Sequence, residues 1–188
     1  MKFYTGIGAR KTPANILVIM RKLAYHLAKD GFTLRSGGAD GADTAFGHGW
    51  ADAWMEDVDN TMHSKYKAEI YLPWEGFNDQ YSTMEGRWYI TNPSLYFAAE
   101  GIASRIHPNW KACKDSVRAL HTRNVFQVLG ADLTKRSNFL VCWAELDGES
   151  IKGGTRTAWE LAKQRDVTCY NLYNTYDLDK IQAYLDNK

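Results

Sequence analysis

The sequence predicts an α/β fold in which a mostly parallel sheet lies between two layers of helices, and three observations support this prediction. Segments of β-strand composition alternate along the chain with segments whose apolar residues recur at helical spacing. The segment Phe139–Ala144 is almost entirely apolar, as is typical of the central strand of a parallel sheet. Glycine-rich stretches follow three of the predicted strands. Because open parallel sheets bind ligands at the carboxyl ends of their strands, a site is expected in these loops.

The first part of the chain predicts two strand–helix units. A short strand over Lys2–Ile7 precedes a helix for which Thr12 is the expected N-cap and Pro13 the first residue. The apolar positions of this helix recur on one face, and Asp30-Gly31 provides its stop signal. The second unit consists of a strand over Phe32–Ser36 and a helix over Thr44–Trp54.

The rest of the chain predicts a connection, an insertion and further strand–helix units. Residues 55–66 are polar without a clear period, which favours a connection. Residues 74–97 carry many aromatic residues and glycines, which favours an insertion near the site with room for short helices. The other predicted elements are strands over Glu69–Leu72, Phe139–Ala144 and Val167–Leu172 and helices over Ala98–Ile106, Lys111–Leu129, Thr155–Arg165 and Leu178–Leu185.

Composition and charge exclude several classes of protein. A length of 188 residues suits one domain, so residues 1–188 are expected to fold as a single unit. A net charge of +1 and 45% hydrophobic residues exclude a disordered chain and a protein that coats nucleic acid or membrane through bulk charge. No apolar run reaches the roughly 18 residues of a membrane span and the start of the chain lacks a signal-peptide pattern, so a cytoplasmic protein is expected. The cysteine and histidine spacings predict reduced thiols and no metal or other cofactor.

The first glycine-rich loop is Thr5-Gly6-Ile7-Gly8-Ala9-Arg10. Gly6 and Gly8 let backbone N–H groups approach a ligand, and the start of the following helix favours an anion. Arg10 adds a candidate contact to a phosphate or carboxylate group. A simple tight turn and a solvated arginine explain the same residues without a ligand.

The second loop, Ser36-Gly37-Gly38-Ala39-Asp40-Gly41-Ala42-Asp43, has almost no side-chain bulk between strand and helix. Gly37 and Gly38 therefore suit a backbone surface pressed against a phosphate or sugar, and Ser36 can donate a hydrogen bond. Asp40 and Asp43 would repel a phosphate but can accept hydrogen bonds from ribose hydroxyls or from a base. The alternative is close packing of strand against helix, with Asp40 or Asp43 as the N-cap.

The third loop is Lys152-Gly153-Gly154-Thr155-Arg156-Thr157-Ala158-Trp159-Glu160. It follows the predicted central strand and opens a helix, which is the arrangement of a phosphate-binding loop. Gly153 and Gly154 expose backbone N–H groups, and Thr155 and Thr157 add hydroxyl donors. Glu160 falls within the first two helical turns, where its carboxylate is expected to face the mouth of the loop. The alternative assigns the threonines to helix capping and Glu160 to solvent.

A fourth stretch, His121-Thr122-Arg123-Asn124, lies within a predicted helix. Arg123 is a candidate site residue because of its polar neighbours, although a surface charge is the usual role of such an arginine. His121 and Asn124 are candidates for the wall of the pocket. Trp74, from the insertion, is a further candidate.

Together these stretches resemble the SLOG superfamily, the Rossmann-like group that includes the DNA-processing DprA/Smf proteins, YspA-like proteins and the LOG phosphoribohydrolases. The similarity runs in order from Tyr4 to about Leu172, and residues 50–66 and 74–105 fit poorly. The first loop resembles the first glycine loop of the group, and the second is very close to that of the small YspA-like members. The resemblance implies a Rossmann-like three-layer sandwich that binds nucleotides and forms a homodimer, and the poorly fitting stretch around 74–105 is predicted to be a helical and aromatic insertion.

Two motifs of the LOG enzymes, M-H-E-R-K and P-G-G-x-G-T-x-x-E, have counterparts in this chain. Leu120–Asn124 is similar to the first motif and Gly153–Glu160 to the second. The resemblance therefore places Arg123 on the catalytic arginine of that family and Glu160 on its catalytic glutamate.

The chain departs from these motifs at three points. Lys152 replaces the proline and Arg156 replaces the third glycine, where it would either clash with the loop or add a phosphate contact. The segment Glu145–Lys152 is longer than the family's turn. The DprA group has an R-N-R segment before its central strand, and Arg123-Asn124 matches its first two positions.

The resemblance and the residues lead to a favoured hypothesis and a rival. The favoured one is an enzyme that cleaves, or transfers across, the N-glycosidic bond of a nucleoside 5′-monophosphate. In it the phosphate binds the third loop, Glu160 stabilises the positive charge of the sugar and Arg123 orients the substrate. The rival is a non-catalytic module that binds a nucleotide-derived signal or single-stranded DNA, with aromatic residues of the insertion stacked on bases. Such aromatic clusters more often belong to the core or to a dimer interface, and a vestigial site in an interaction protein is a third possibility.

Overall fold

A six-stranded parallel sheet forms the centre of the molecule, in a computed structural model that describes residues 1–56 and 66–188. The strands are β1 Lys2–Gly6, β2 Phe32–Ser36, β3 Ala68–Tyr71, β4 Arg87–Trp88, β5 Phe139–Cys142, β6 Leu146–Asp147, β7 Ser150–Ile151 and β8 Thr168–Asn171. The order in the sheet is β4-β3-β2-β1-β5-β8, and β6 and β7 form a separate antiparallel hairpin. The predicted α/β class with a mostly parallel sheet is confirmed.

In the described part of the chain, six helices cover the two faces of the sheet. They are α1 Ala14–Lys29, α2 Ala42–Glu56, α3 Pro93–Ile106, α4 Asp115–Leu129, α5 Arg156–Gln164 and α6 Thr175–Asp186. One layer contains α1, α2 and α6, and the other contains α3, α4 and α5. Within the described residues no helix combines the length and the apolar character needed to cross a membrane.

Each face of the sheet has its own hydrophobic core. On the side of α1 and α2, Tyr4 stacks on Phe139 with ring centroids 5.7 Å apart and meets Phe46 of α2 edge-on. On the side of α4 and α5, Val125, Leu140 and Leu161 are almost fully buried. Burial on both faces explains why the central strand β5 is apolar at successive positions rather than at alternate ones.

The strand order reverses between β1 and β5. The chain moves outward from β1 through β2 and β3 to β4, and later outward from β5 to β8 on the other side. Connections from β1 and β5 therefore leave the sheet on opposite faces, and a crevice opens between them at the carboxyl ends of these strands. The first two glycine-rich loops directly follow β1 and β2 at this edge, and the third follows the β6–β7 hairpin that comes after β5.

The insertion contains a strand that the sequence does not predict. Arg87–Trp88 pairs in parallel with β3, through Ile70 N–H to Gly86 O at 2.7 Å and Leu72 N–H to Trp88 O at 2.8 Å. Two residues are too few for a periodic pattern. Helix α3 also begins at Pro93 rather than Ala98, because the Asn92 side chain accepts from two backbone N–H groups and caps it.

Several smaller boundaries differ from the prediction, and those of α1 and α4 have a visible cause. Thr12 does not cap α1: its hydroxyl donates to Ala9 O at 2.7 Å, and Pro13 occupies the N-cap position. Helix α4 begins at Asp115 because Trp110–Ala112 forms a separate 3-10 turn. The long Glu145–Lys152 segment contains the β6–β7 hairpin. The predicted connection 55–66 falls largely outside the described residues, since α2 runs to Glu56 and the description resumes at Tyr66.

Candidate functional site

A cleft of about 650 Å³ opens at the carboxyl ends of β1 and β5. Its walls come from the loop after β1, the start of α2, one face of α4, the residues after β5 and the loop before α5. It lies at the point where the strand order reverses, which is where open α/β sheets bind ligands.

The loop after β1 forms one wall of the cleft. Ile7 and Ala9 continue the sheet pairing, with their N–H groups donating to Val141 O and Trp143 O at 3.1 and 3.0 Å. A Cβ on Gly8 would lie 2.7 Å from Ala42 Cβ and 2.9 Å from Trp143 O, so glycine lets this loop lie between α2 and the end of β5. The exposed side chain of Arg10 also lines the cleft, with Lys11 beside it.

Gly6 faces the core instead of the cleft. A Cβ there would lie 2.7 Å from the ring of Phe46. Gly6 therefore allows close packing of β1 against α2, and its carbonyl accepts a hydrogen bond from the Ser36 hydroxyl at 2.7 Å.

Most of the second glycine-rich loop is in contact with other protein groups. A Cβ on Gly37 would overlap the guanidinium of Arg123. The carbonyl of Gly38 accepts from the side-chain amides of Asn78 and Gln80 at 3.1 and 2.8 Å. Asp40 faces Asn78 at 3.4 Å, outside the cleft. These contacts are those of close packing, and from this loop only Ala39 and Asp43 line the cleft.

Asp43 and Arg123 form a buried ion pair in the floor of the cleft. Asp43 Oδ2 lies 3.3 Å from Arg123 Nη1, and the two side chains are 5% and 8% exposed. Burial raises the pKa of Asp43, and the positive charge of Arg123 opposes that rise. Burial likewise lowers the pKa of Arg123. The Arg123 Nε–H has no hydrogen-bond partner among the described residues, so the pair is incompletely satisfied.

Gln127, which the sequence analysis does not single out, links the second and third loops. With the amide oriented to match its neighbours, its oxygen accepts from Gly37 N–H at 3.0 Å and from Arg123 Nη1 at 2.8 Å. Its nitrogen then donates to Asn124 Oδ1 at 3.1 Å, and Asn124 Nδ2 donates to Gly154 O at 2.7 Å. A sequence signal existed, because Gln127 lies one helical turn beyond Arg123 and Asn124 on α4.

The third loop is the most open part of the cleft. Gly153, Gly154 and Thr155 all line it, and a Cβ on either glycine would meet no atom within 4 Å. Their backbone N–H groups donate no hydrogen bond within the described parts of the chain. Gly153 has a φ of +78°, which favours glycine, and α5 starts directly after Thr155. Unpaired N–H groups at a helix start form a binding site for an anion.

The charged residues of the third loop pair with residues that lie in the β6–β7 hairpin or directly before it. Lys152 Nζ lies 3.1 Å from Glu145 Oε2, and Arg156 Nη1 lies 3.0 Å from Asp147 Oδ2. The carboxylate of Glu160 accepts a hydrogen bond from the Ser150 hydroxyl. Lys152 and Glu145 line the cleft, whereas Arg156 and Glu160 do not. Arg156 thus avoids a clash with the loop by pointing to the hairpin.

His121 and Thr157 bind one another rather than the cleft. His121 Nδ1 lies 2.7 Å from Thr157 Oγ1, and its ring centroid is 4.3 Å from that of His107. Burial lowers the pKa of His121 to about 4, with a further contribution from His107. His121 is therefore neutral near pH 7 and joins α4 to α5.

Aromatic residues reach the cleft from β5 rather than from the insertion. Trp143 lines it and meets Tyr173 edge-on with ring centroids 5.7 Å apart. Trp74 packs edge-on against Phe77, is 37% exposed and does not line the cleft. Trp143 directly follows the apolar strand, a position that could have identified it from sequence.

No cluster of three or more histidine, cysteine or acidic side chains suited to a metal ion occurs in residues 1–56 and 66–188. The cysteines, Cys113, Cys142 and Cys169, are all free thiols. The cleft residues that can hold a ligand are therefore backbone N–H groups, cationic side chains, Asp43 and Trp143.

Comparison with known proteins gives no match to a family model and none to a curated protein. Among solved structures, the chain is similar to the Moco carrier protein of Chlamydomonas rheinhardtii, with 18% identity, a TM-score of 0.43, and coverage of 91% of this chain and 76% of that one. It is also similar to DNA processing protein A of Helicobacter pylori, a structure described for its single-stranded DNA binding, with 15% identity, a TM-score of 0.37, and coverage of 100% and 81%. The family resemblance of the glycine loops stays a prediction.

Proposed function

We propose that the cleft binds a nucleotide, or a small molecule derived from one, through its phosphate group. The observation that carries this proposal is the set of three unpaired backbone N–H groups of Gly153, Gly154 and Thr155 at the start of α5. They line an open cleft beside Lys152, and a helix start with free N–H groups stabilises phosphate oxygens.

The charge of the cleft fits one phosphate monoester. Four cationic and two acidic side chains line it, which leaves a net charge of +2. Arg123 and Lys152 are paired with the two acids, so the excess comes from Arg10 and Lys11, neither of which forms an ion pair with a described residue. A phosphomonoester carries about −1.5 to −2 at neutral pH, which balances this excess.

The shape of the cleft accommodates the rest of a nucleotide. A volume of about 650 Å³ lies within the range of small-molecule sites. Trp143 offers an aromatic ring on which a base can stack, supported from behind by Tyr173. Phosphate at the third loop and base at Trp143 would place the sugar over the floor of the cleft.

Calorimetric titration with nucleoside 5′-monophosphates and with inorganic phosphate tests this proposal. Lys152→Ala is expected to weaken binding by at least about 10-fold, because it removes a cation beside the phosphate and leaves Glu145 to repel it. Lys163→Ala, an exposed lysine at the other end of α5, is the matched control and keeps the affinity of the unmodified protein. Absence of binding by every monophosphate and by phosphate at millimolar concentration would refute the proposal.

Cleavage of the N-glycosidic bond is the narrower form of this proposal. In its favour, Arg123 lies in the cleft where the resemblance places a catalytic arginine. Against it, Glu160 is bonded to Ser150 and lies outside the cleft. Release of free base from a panel of nucleoside monophosphates, and its loss in Glu160→Gln, would support cleavage with these two residues. Binding without release of base supports a non-catalytic nucleotide-binding module.

Single-stranded DNA is the second candidate ligand, on the basis of a separate observation. The end of α3 and the connection to α4, at the same edge of the sheet as the cleft, carry exposed cations at Arg105, Lys111 and Lys114. Exposed aromatic side chains of the insertion, Trp74, Tyr81 and Trp88, are available to stack on bases. A steep loss of oligonucleotide affinity with added salt would support DNA. The same exposed aromatic residues suit a homodimer interface, which light scattering tests.

A further inference from the structure

We infer that Asp43 accepts a hydrogen bond from a sugar hydroxyl of the ligand, so that the cleft selects ribonucleotides over their deoxy counterparts. This inference rests on the proposed nucleotide binding and adds a specificity to it. A carboxylate repels a phosphate group, so the role assigned to Asp43 is separate from phosphate binding.

The carboxylate of Asp43 has unused capacity to accept hydrogen bonds. Its contacts to Arg123 Nη1 and Ala39 N–H, at 3.3 and 3.4 Å, both end on Oδ2 and both exceed the usual length. The backbone N–H of Gly8 is a third donor to this carboxylate, and since a carboxylate has about four acceptor positions, part of its capacity stays unused. A buried carboxylate with lone pairs to spare, in the floor of a cleft, is stabilised by a ligand that brings a donor.

The position of Asp43 matches the sugar rather than the phosphate or the base. Arg123 and Asn124 are adjacent on α4, and the first contacts Asp43 while the second contacts Gly154 of the phosphate-binding loop. On the other side, Gly8 separates the start of α2, which carries Asp43, from Trp143. A nucleotide with its phosphate on the third loop and its base on Trp143 would therefore bring its ribose to Asp43.

Arg123 acts in this arrangement as a positioning residue. Its guanidinium lies between Asp43 and Gln127, which holds it over Gly37, so the carboxylate keeps a fixed place and a paired charge. The ion pair explains how a carboxylate can be retained in a site that is otherwise cationic. It also leaves Arg123 little freedom to contact a ligand directly.

Calorimetry with matched ribose, 2′-deoxyribose and 3′-deoxyribose 5′-monophosphates of one base tests the inference on the unmodified protein. Loss of the hydroxyl that Asp43 accepts is expected to weaken binding by about 10- to 100-fold, the usual effect of a hydrogen bond to a charged group. Equal affinity, within about twofold, for all three sugars overturns the inference while leaving the proposed function in place. Failure of every monophosphate to bind overturns both.

Asp43→Asn provides the second measurement. The ribose preference is expected to fall to below about threefold, because an amide is a weaker acceptor and no longer pairs with Arg123. Asp52→Asn, on the same helix, breaks a surface ion pair with Arg21 and is expected to keep the full preference. A folded Asp43→Asn protein that keeps the preference would contradict the inference. Where this variant does not fold, the three-sugar comparison on the unmodified protein decides the matter.

Discussion

Replacement of Gly37 by alanine is expected to destabilise the fold far more than replacement of Gly154, although both glycines belong to loops that resemble phosphate-binding loops. A Cβ on Gly37 would overlap the guanidinium of Arg123, and a Cβ on Gly154 would meet nothing within 4 Å. Because the Arg123 side chain, which α4 carries, is buried between Asp43 and Gln127, it can make room only by leaving its position beside Asp43.

The size of the effect follows from what Arg123 loses. Breaking a buried ion pair so that one charge is left unpaired costs about 3–5 kcal/mol of unfolding free energy. Displacement also disturbs the hydrogen bond from Gly37 N–H to Gln127, which contributes about 1 kcal/mol. Alanine stiffens the unfolded chain and returns roughly 0.4–1 kcal/mol. The net expectation for Gly37→Ala is a loss of about 3–5 kcal/mol.

Urea unfolding followed by circular dichroism measures this loss. Gly154→Ala serves as the control and is expected to stay within about 1 kcal/mol of the unmodified protein. Adding Arg123→Ala removes the obstructing guanidinium, so Gly37→Ala should cost much less in that background. A Gly37→Ala protein within about 1 kcal/mol of the unmodified one, or equal costs in both backgrounds, would refute the assigned contact.

Two further predictions concern α4 and α5. The folded pKa of His121, about 4, lies below its ordinary 6.5, so the unfolded chain takes up the proton first and stability is lost as the pH falls between these values. Going from pH 7 to 4.5 should cost about 2 kcal/mol through this group. In urea unfolding, the His121→Asn variant should lose about 2 kcal/mol less stability between pH 7 and 4.5 than the unmodified protein does. An unchanged loss in the variant would count against the prediction. Glu160→Gln should lower the unfolding free energy by about 1 kcal/mol, because it weakens the hydrogen bond from Ser150. It should change nucleotide affinity by less than twofold. A tenfold loss of affinity would place Glu160 in the site.

The sheet was predictable from sequence because its strands carry a strong local signal. The apolar run of β5 and the helical spacing of α1 both reflect burial that the sequence records directly. Strand β4 has no such signal, since two residues form no pattern and its pairing depends on where β3 ends. The start of α3 does have a sequence signal, Asn92 followed by Pro93. This signal lies in an insertion that otherwise shows no hydrophobic periodicity.

The site was predictable to the extent that it depends on backbone shape. Gly153 and Gly154 line an open cleft, in agreement with their place between a strand and a helix. The contacts of Gly37 were not predictable, because the side chain that covers it, Arg123, belongs to a distant helix. The same limit applies to Glu160, whose direction depends on a hairpin that local spacing does not reveal.

Most charged side chains that the motifs bring to the cleft and its surroundings form ion pairs with one another. The pairs are Asp43 with Arg123, Glu145 with Lys152 and Asp147 with Arg156. Under the proposed function, a phosphate would therefore meet Arg10 and Lys11, which form no ion pair with a described residue, together with uncharged backbone N–H groups whose geometry is set by the helix start and does not change with salt. A mononucleotide held in this way should lose less affinity as ionic strength rises than single-stranded DNA, whose several phosphates would each meet an exposed cation at the end of α3 and in the α3–α4 connection. The salt dependence of binding thus separates the two candidate ligands by the physical origin of their attraction, independently of which base either one carries.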